Sequence, residues 1–486
     1  MNRKILYLVI VLINISCSRE HELIDEKNNN NNPPESFAVK VDSITSESAY
    51  LSWVKAKDPE NDDVKYDVSL QGKTLLANSD RLELKINNLN ELTNYSGEVI
   101  AKDLSGNRTK VNFTFNTLKF FLKFNKAYSF PQTNYGGKAN QIIKLRDNTY
   151  IILGHTRYLG IAKKLSIIKV DGFGNEIWNK MLPVDYEGDV GGFSMKMIQC
   201  ANSNNIIIGA GDNVTKIDFD GNLVWIKNIS QYNVNYAGVA GIRSLIEDVN
   251  NNIYTVGDIK SSTPQKLTSG YLTKLSSEGN VLFEKLFENS LITVFNDLLI
   301  DNEKLIIIGT KEISGITWEQ YLANMPLQVK FNMVTTDING NIIDERSFND
   351  SGRAFARGIF KKSNGNYIFY GYTLGISDIT NIFEIKPSGD TIWHKKSDFY
   401  GSVNSVKETK EGNLIVVGTQ SLSQASRPFL HLANNMGNTI WTKYTYEGAF
   451  GQDVLPDDDG GYRILVSHDP SDNRANLYKT DPTGNY

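Results

Sequence analysis

Five histidines and two cysteines are the side chains of this 486-residue chain best suited to nucleophilic, acid–base or metal chemistry. None of His21, His155, His394, His431 and His468 stands at metal-ligand spacing from another His or Cys, so no metal is expected. His155 follows the apolar run Tyr150-Ile151-Ile152-Leu153-Gly154, and His468 follows Tyr462-Arg463-Ile464-Leu465-Val466-Ser467. Both positions read as the start of a loop after a strand, where an imidazole can give or take a proton near neutral pH. No glycine-rich phosphate loop or nucleophile elbow accompanies them, and no cofactor is expected. Cys200, inside Met197-Ile198-Gln199-Cys200, reads as a small buried hydrophobe rather than a nucleophile. With Cys17 as the only other cysteine, no disulfide framework is expected.

Aromatic residues beside glycine, asparagine or acid form the second set of candidates. Tyr135, Tyr186, Tyr236, Tyr400 and Tyr446 recur in segments such as Asn134-Tyr135-Gly136 and Asp185-Tyr186-Glu187-Gly188. Trp318 and Tyr321 sit in a longer segment between Thr310 and about Leu327. Aromatic faces with nearby amides and carboxylates suit sugar rings, whose apolar faces stack while their hydroxyls need donors and acceptors. The alternative is that these tyrosines fill joints between repeated modules.

A repeat must position these residues. Seven turns carry Gly174, Gly221, Gly279, Gly340, Gly389, Gly437 and Gly484, at spacings of 47, 58, 61, 49, 48 and 47 residues. Asn follows the glycine in six copies, and Asp390 stands there in the fifth. Four residues past the glycine comes Trp178, Trp225, Phe283, Trp393 or Trp441, with Asp344 in the fourth copy. Each module also has a near-continuous apolar run, such as Leu305-Ile306-Ile307-Ile308-Gly309, expected of a strand buried on both faces. A period of this size with all-strand character predicts an all-β, seven-bladed β-propeller over residues 119–486. Asp-x-x-Gly-Asn turns (Asp171, Asp218, Asp337, Asp481) read as fold-stabilising turns, and the recurrent Trp as packing between blades. The seventh module ends at Gly484-Asn485-Tyr486, and Phe124-Asn125-Lys126 parallels Trp178-Asn179-Lys180. An N-terminal strand is therefore expected to complete the last blade and close the ring. The resemblance in turn grammar is to PQQ-like bacterial propellers.

Ahead of the ring, Met1-Asn2-Arg3-Lys4 precedes an apolar run from Ile5 to Ile15, then Ser16 and Cys17. The run fits a signal peptide of residues 1–16. Cys17 after a small residue resembles a bacterial lipobox, with Asn14 where that family usually has Leu. The resemblance implies an acylated Cys17 and an outer-membrane lipid anchor. Residues 17–34 are acidic and carry Asn28 to Asn32 and Pro33-Pro34, the composition of a disordered tether. Its early acids resemble the surface-export signals of Bacteroidetes-type lipoproteins. Residues 35–118 alternate as a small β-sandwich does. Trp53, Tyr66, and Leu89 with Tyr95 resemble the core Trp, the strand C Tyr and the tyrosine corner of fibronectin type III domains. The acidic stretch Asp58 to Asp63 offers oxygens to a hard cation, but not at EF-hand spacing.

A net charge of −4 gives no basic field for nucleic acid. These features together predict a non-enzymatic, surface-anchored binding lipoprotein whose ligand is a glycan or a partner protein. The alternative is a propeller-type polysaccharide lyase or hydrolase using His155 or His468.

Overall fold

The computed structural model describes residues 31–131, 137–158, 162–186, 195–229, 240–260, 267–315, 320, 328–348, 353–374, 378–422, 425–445, 448–468 and 474–486. The signal segment, Cys17 and most of the tether lie outside the described residues. The chain divides into two compact units, Met1–Phe121 and Leu122–Tyr486.

The first unit is a two-sheet β-sandwich. Val39–Asp42, Ala49–Trp53 and Glu83–Ile86 make one sheet; Lys73–Ser79, Lys65–Leu70, Asn94–Lys102 and Arg108–Asn116 make the other. The alternation seen in sequence is the alternation of burial, since Ala49, Leu51 and Trp53 face inward and Tyr50 and Ser52 do not. Trp53 packs on Tyr66 with ring centroids 5.7 Å apart, and the buried Tyr66 hydroxyl accepts the Ala56 amide at 2.7 Å. The Tyr95 hydroxyl accepts the Asn90 amide at 2.8 Å and so pins the turn before its own strand. In the acidic stretch, one Asp58 oxygen accepts the Glu60 and Asp62 amides, which makes it a turn organiser.

The second unit is a ring of seven four-stranded antiparallel sheets. Blade 1 runs inner to outer as Gly137–Lys144, Tyr150–Tyr158, Ala162–Val170 and Glu176–Tyr186. Blades 2 to 6 repeat this order, and their inner strands are Met195–Gln199, Ala240–Glu247, Thr293–Asp301, Arg353–Lys361 and Ser402–Glu408. Blade 7 takes Ala449–Pro456, Tyr462–His468 and Arg474–Lys479 from the C-terminus and its outer strand, Phe124–Ser129, from the start of the unit. Each inner strand packs against the next, and that of blade 7 packs against that of blade 1. The ring is a closed seven-bladed propeller, which leaves no blade with an unpaired third strand. The core is a set of slabs between sheets. One joins Ile151, Leu153 and Ile167 of blade 1 to Ile206, Ile208 and Ile217 of blade 2. Another joins Tyr128, Leu465 and Leu477 of blade 7 to Ile142 and Ile152 of blade 1.

The repeated glycine turn is half of a joint between blades. All seven glycines have φ between 74° and 87°, a conformation that Gly adopts without penalty. In four of the seven a preceding Asp organises the turn; Asp171, for example, accepts the amides of Phe173 and Asn175. At Asp337 the Asn341 amide and side chain hold the carboxyl below its usual range. On the bare side of each glycine lies the outer strand of the preceding blade. A Cβ would come within 2.6–2.9 Å of the aromatic or of the cation two residues beyond it. Trp178 and Lys180 cover Gly221, Trp393 and Lys395 cover Gly437, and Phe124 and Lys126 cover Gly174 across the ring closure. The lysine also donates to the turn asparagine, as Lys126 does to Asn175 and Lys285 to Asn341, both at 2.6 Å. The two departures from the repeat meet at a single joint. Asp344 replaces the aromatic of blade 4, Asp390 replaces the asparagine of blade 5, and Arg346 bonds both, at 2.6 and 3.1 Å. An ionic clasp stands there in place of the aromatic one.

Candidate functional site: the axial cavity

The inner strands do more than pack. In six blades their pairing with the second strand breaks at a β-bulge, so that one residue has no cross-strand partner. The bulged residues are Asn140, Arg243, Asn296, Arg357, Asn404 and Gln452. Blade 2 pairs without a bulge and offers Met195 and Lys196 instead. A bulge re-aims the side chain it carries, and these eight residues all line one cavity of about 110 Å³, together with Gln141, Asp297, Tyr370, Ser405, Lys407 and Asp453. Because every blade contributes its inner strand, the cavity lies on the ring axis.

The glycine that ends the apolar run inside most of the second strands is the counterpart of the bulge. Gly154, Gly257, Gly309, Gly371 and Gly418 each pair with the residue just before the bulge. A Cβ on any of them would overlap a backbone carbonyl of the inner strand: Lys138, Gly241, Val294, Phe355 or Ser402. In blade 7 Val466 stands at that position, and the glycine has moved across the ladder to Gly451.

Two kinds of charged and polar group line the cavity. Asp297 accepts the Ile359 amide of the next blade at 3.0 Å, accepts the Ser244 hydroxyl and lies 3.5 Å from Lys196. Asp453 accepts the Ile142 amide across the ring closure at 3.1 Å and its neighbour's, Val454, at 2.9 Å. Gln141 does the same for Met197 at 2.6 Å, and Asn404 donates to the Gly451 carbonyl at 2.6 Å. These groups tie inner strands together around the axis. The two arginines are held from behind by second strands. Arg243 pairs with Asp258; Arg357 lies over the Tyr372 ring at 5.1 Å and donates to its hydroxyl at 3.4 Å. Burial lowers the Arg357 pKa, and the charge of Arg243 lowers it further. Burial pushes the Tyr370 hydroxyl far above its usual range and raises Asp378, a carboxyl that Arg357 opposes by its charge.

The residues singled out in sequence are placed elsewhere. His155 lies inside the strand Tyr150–Tyr158 and not in the loop expected, because its hairpin continues for three residues beyond it. It is buried, and its Nδ1 is 3.3 Å from the Asn140 amide oxygen, one step behind the cavity wall. His468 is the last residue of its strand, also buried, with Nε2 at 2.9 Å from the Asn476 amide oxygen. Tyr400 ends the outer strand Thr391–Tyr400 and is exposed. Tyr186 ends the outer strand of blade 1, its side chain outside the described residues. Tyr135, Tyr236, Trp318, Tyr321 and Tyr446 also lie outside them. Cys200 is buried and free, and the recurrent tryptophans pack in blade joints.

No protein-family model and no curated protein sequence matches the chain. Among solved structures it is similar to a protein of unknown function from Dyadobacter fermentans, at 9% identity over 74% of this chain and 98% of that one, with a TM-score of 0.43. It is similar to an α-L-arabinanase from Penicillium chrysogenum, at 10% identity over 76% and 100%, TM-score 0.40. A protein of unknown function from Bacteroides caccae is similar at 11% identity over 64% and 94%, TM-score 0.37. These likenesses are distant and assign no activity.

Proposed function

We propose that the chain is a non-enzymatic binding lipoprotein of the outer membrane, anchored through Cys17 and facing the cell exterior. An acidic tether and a fibronectin type III-like spacer then carry a propeller whose ring axis is the centre of its binding face. The observation that carries this reading is the convergence of all seven inner strands on one polar cavity. The lining sits at the middle of the inner strands or towards the end that follows a blade-to-blade connection, with Lys407 deeper. In the sequence the aromatic candidates fall in or beside the segments that join blades or join second to third strands, and variable loops on a rigid scaffold are where binding concentrates. The three-plus-four sandwich and its Tyr95 contact support the spacer assignment. His155 and His468, buried in strands and engaged with asparagines, are poorly placed to serve a catalytic reading.

The test is a glycan and polysaccharide binding screen on protein lacking residues 1–18, with reducing-sugar release measured in the same wells. Saturable binding without product, lost in Trp318→Ala or Tyr236→Ala, is the expected result. Product release abolished by His155→Ala or His468→Ala would overturn the reading in favour of a lyase or hydrolase. Incorporation of labelled palmitate in cells, lost in Cys17→Ser, tests the anchor.

A further inference from the structure

The axial cavity has a chemical preference of its own. Blades 3, 4 and 5 present Arg243, Asn296 and Arg357 at one and the same bulge position, so two guanidinium groups flank an amide at one level of the ring. We propose that this arc is a binding site for a small carboxylate, held between Arg243 and Arg357 with Asn296 beside it. The proposal rests on the binding-module reading and deepens it by naming a ligand class.

Three observations lead to a carboxylate. First, Lys196, Arg243, Arg357 and Lys407 line the cavity against only Asp297 and Asp453, in a chain whose net charge is −4. Both aspartates already accept backbone amides across blade joints. Asp258 stands behind Arg243 and Asp378 near Arg357, so four carboxyls balance the four cations, and it is the two arginines rather than a net positive charge that face an incoming anion. Second, the arginines are oriented before any ligand arrives. Arg243 is fixed by Asp258 through its Nε, and Arg357 is stacked on Tyr372. Pre-set planar forks match a planar carboxylate with two parallel hydrogen bonds, whereas a lysine offers only a point charge. Third, the two guanidinium groups repel each other in a buried space, and an anion between them offsets that repulsion. About 110 Å³ is enough for several waters, and so for a carboxylate with its attached carbon in their place.

The experiment is titration calorimetry on protein lacking residues 1–18, at constant ionic strength. The probes are acetate, glucuronate and inorganic phosphate, with glucose as the uncharged control. Saturable binding of acetate and glucuronate, with none of glucose and weaker binding of phosphate, is expected. Arg243→Lys and Arg357→Lys keep the charge and lose the fork, and each should weaken glucuronate at least tenfold. Asn296→Asp places an anion between the arginines at unchanged size and should abolish binding; it stands in if a lysine variant does not fold. No heat with either carboxylate, preference for phosphate, glucose bound as tightly as glucuronate, or full-strength binding in the folded variants would overturn the proposal. Glycan binding without a carboxylate response would sink this proposal alone. A carboxylate response together with catalytic product release would sink the binding-module reading alone.

Discussion

Blade 6 contains its own control for what the recurrent glycine does. Gly412 and Gly437 both occupy the fourth position of a five-residue turn closed by the same two backbone bonds, and their φ values are 80° and 74°. An alanine at either position meets the same left-handed backbone cost, about 1–2 kcal/mol. Their surroundings differ. Around Gly412 the nearest atom to an added Cβ is a Glu408 oxygen at 4.0 Å, whereas at Gly437 the Cβ would lie 2.8 Å from Lys395 and 2.9 Å from the Trp393 ring. Trp393 cannot retreat without loss. Its indole N–H donates to Glu384 at 2.9 Å, and that carboxylate also takes the buried Lys362 ammonium at 3.0 Å. Forced overpacking of this kind costs roughly 1–3 kcal/mol. Gly437→Ala should therefore destabilise the ring by about 1–3 kcal/mol more than Gly412→Ala. In a ring this large that is a Tm difference of a few degrees, about 2–4 °C per kcal/mol at most. Urea unfolding and calorimetry on the two variants measure it. In a Trp393→Ala background the share of that cost owed to the ring should vanish while the Lys395 contact stays, giving a coupling energy of up to about 1–3 kcal/mol in the double-mutant cycle. Equal losses for the two glycines, or additive losses with Trp393→Ala, would refute the claim that the Trp–Gly contact holds the blades together.

Ring closure makes a second prediction. The buried Tyr128 hydroxyl donates to the Gly174 carbonyl at 2.7 Å across the seam. Tyr128→Phe should cost about 1 kcal/mol and Tyr128→Ala roughly 3–5, with faster tryptic cleavage at Lys126 only in the latter. His431 is buried and its pKa is lowered to about 4 by burial, with Asp398 opposing. Its folded value lies below the unfolded 6.5, so the unfolded chain binds the proton first. Stability is then intact above pH 6.5 and falls as the pH drops towards 4, by about 3 kcal/mol at 1.36 kcal/mol per unit. His431→Gln should flatten that limb of the urea-midpoint profile between pH 7 and 4.5; an unchanged slope would contradict the assignment. Burial pushes the Cys200 thiol up to about 11. A thiol reagent at pH 8 should leave it unmodified in native protein and modify it fully in urea.

How much of this was legible in the sequence depends on whether the signal was periodic. The turn glycine and the aromatic four residues on repeat at one position, so they imply both the ring and the joint. Even the parallel between Phe124-Asn125-Lys126 and Trp178-Asn179-Lys180 corresponds to equivalent places against Gly174 and Gly221. The lysine at that position was as regular as the Trp. Its regularity does not by itself point to the turn, because a charged residue on an outer strand has an easier explanation in solvent. The pairing of Asp344 with Asp390 was invisible for another reason. They depart from the repeat in different modules, and only the knowledge that blade 4 covers the turn of blade 5 makes them one event.

The axial site was hidden by its position on strands expected to alternate. Each bulged inner strand places two residues between an apolar or small residue and an apolar one: Ile242-Arg243-Ser244-Leu245, Phe295-Asn296-Asp297-Leu298, Val403-Asn404-Ser405-Val406 and Gly451-Gln452-Asp453-Val454. Two adjacent non-apolar residues break a period of two, and a bulge is the way a paired strand absorbs the extra one. The first of the pair turns to the axis while the second, as Asp297 and Asp453 show, bonds the neighbouring blade. The glycines inside the second strands are the other half of this signal, since a strand buried on both faces has no propensity reason to choose Gly in its interior. Blade 2 supports the same logic from the opposite side. Its Met195-Lys196-Met197 keeps strict alternation and its ladder has no bulge. Its Gly209 is crowded by the side chains of Ile242 and Leu245 rather than by inner-strand backbone. A loop-centred search for function passes over such a site, because the residues that distinguish it lie within strands and reach the axis through an irregularity of pairing.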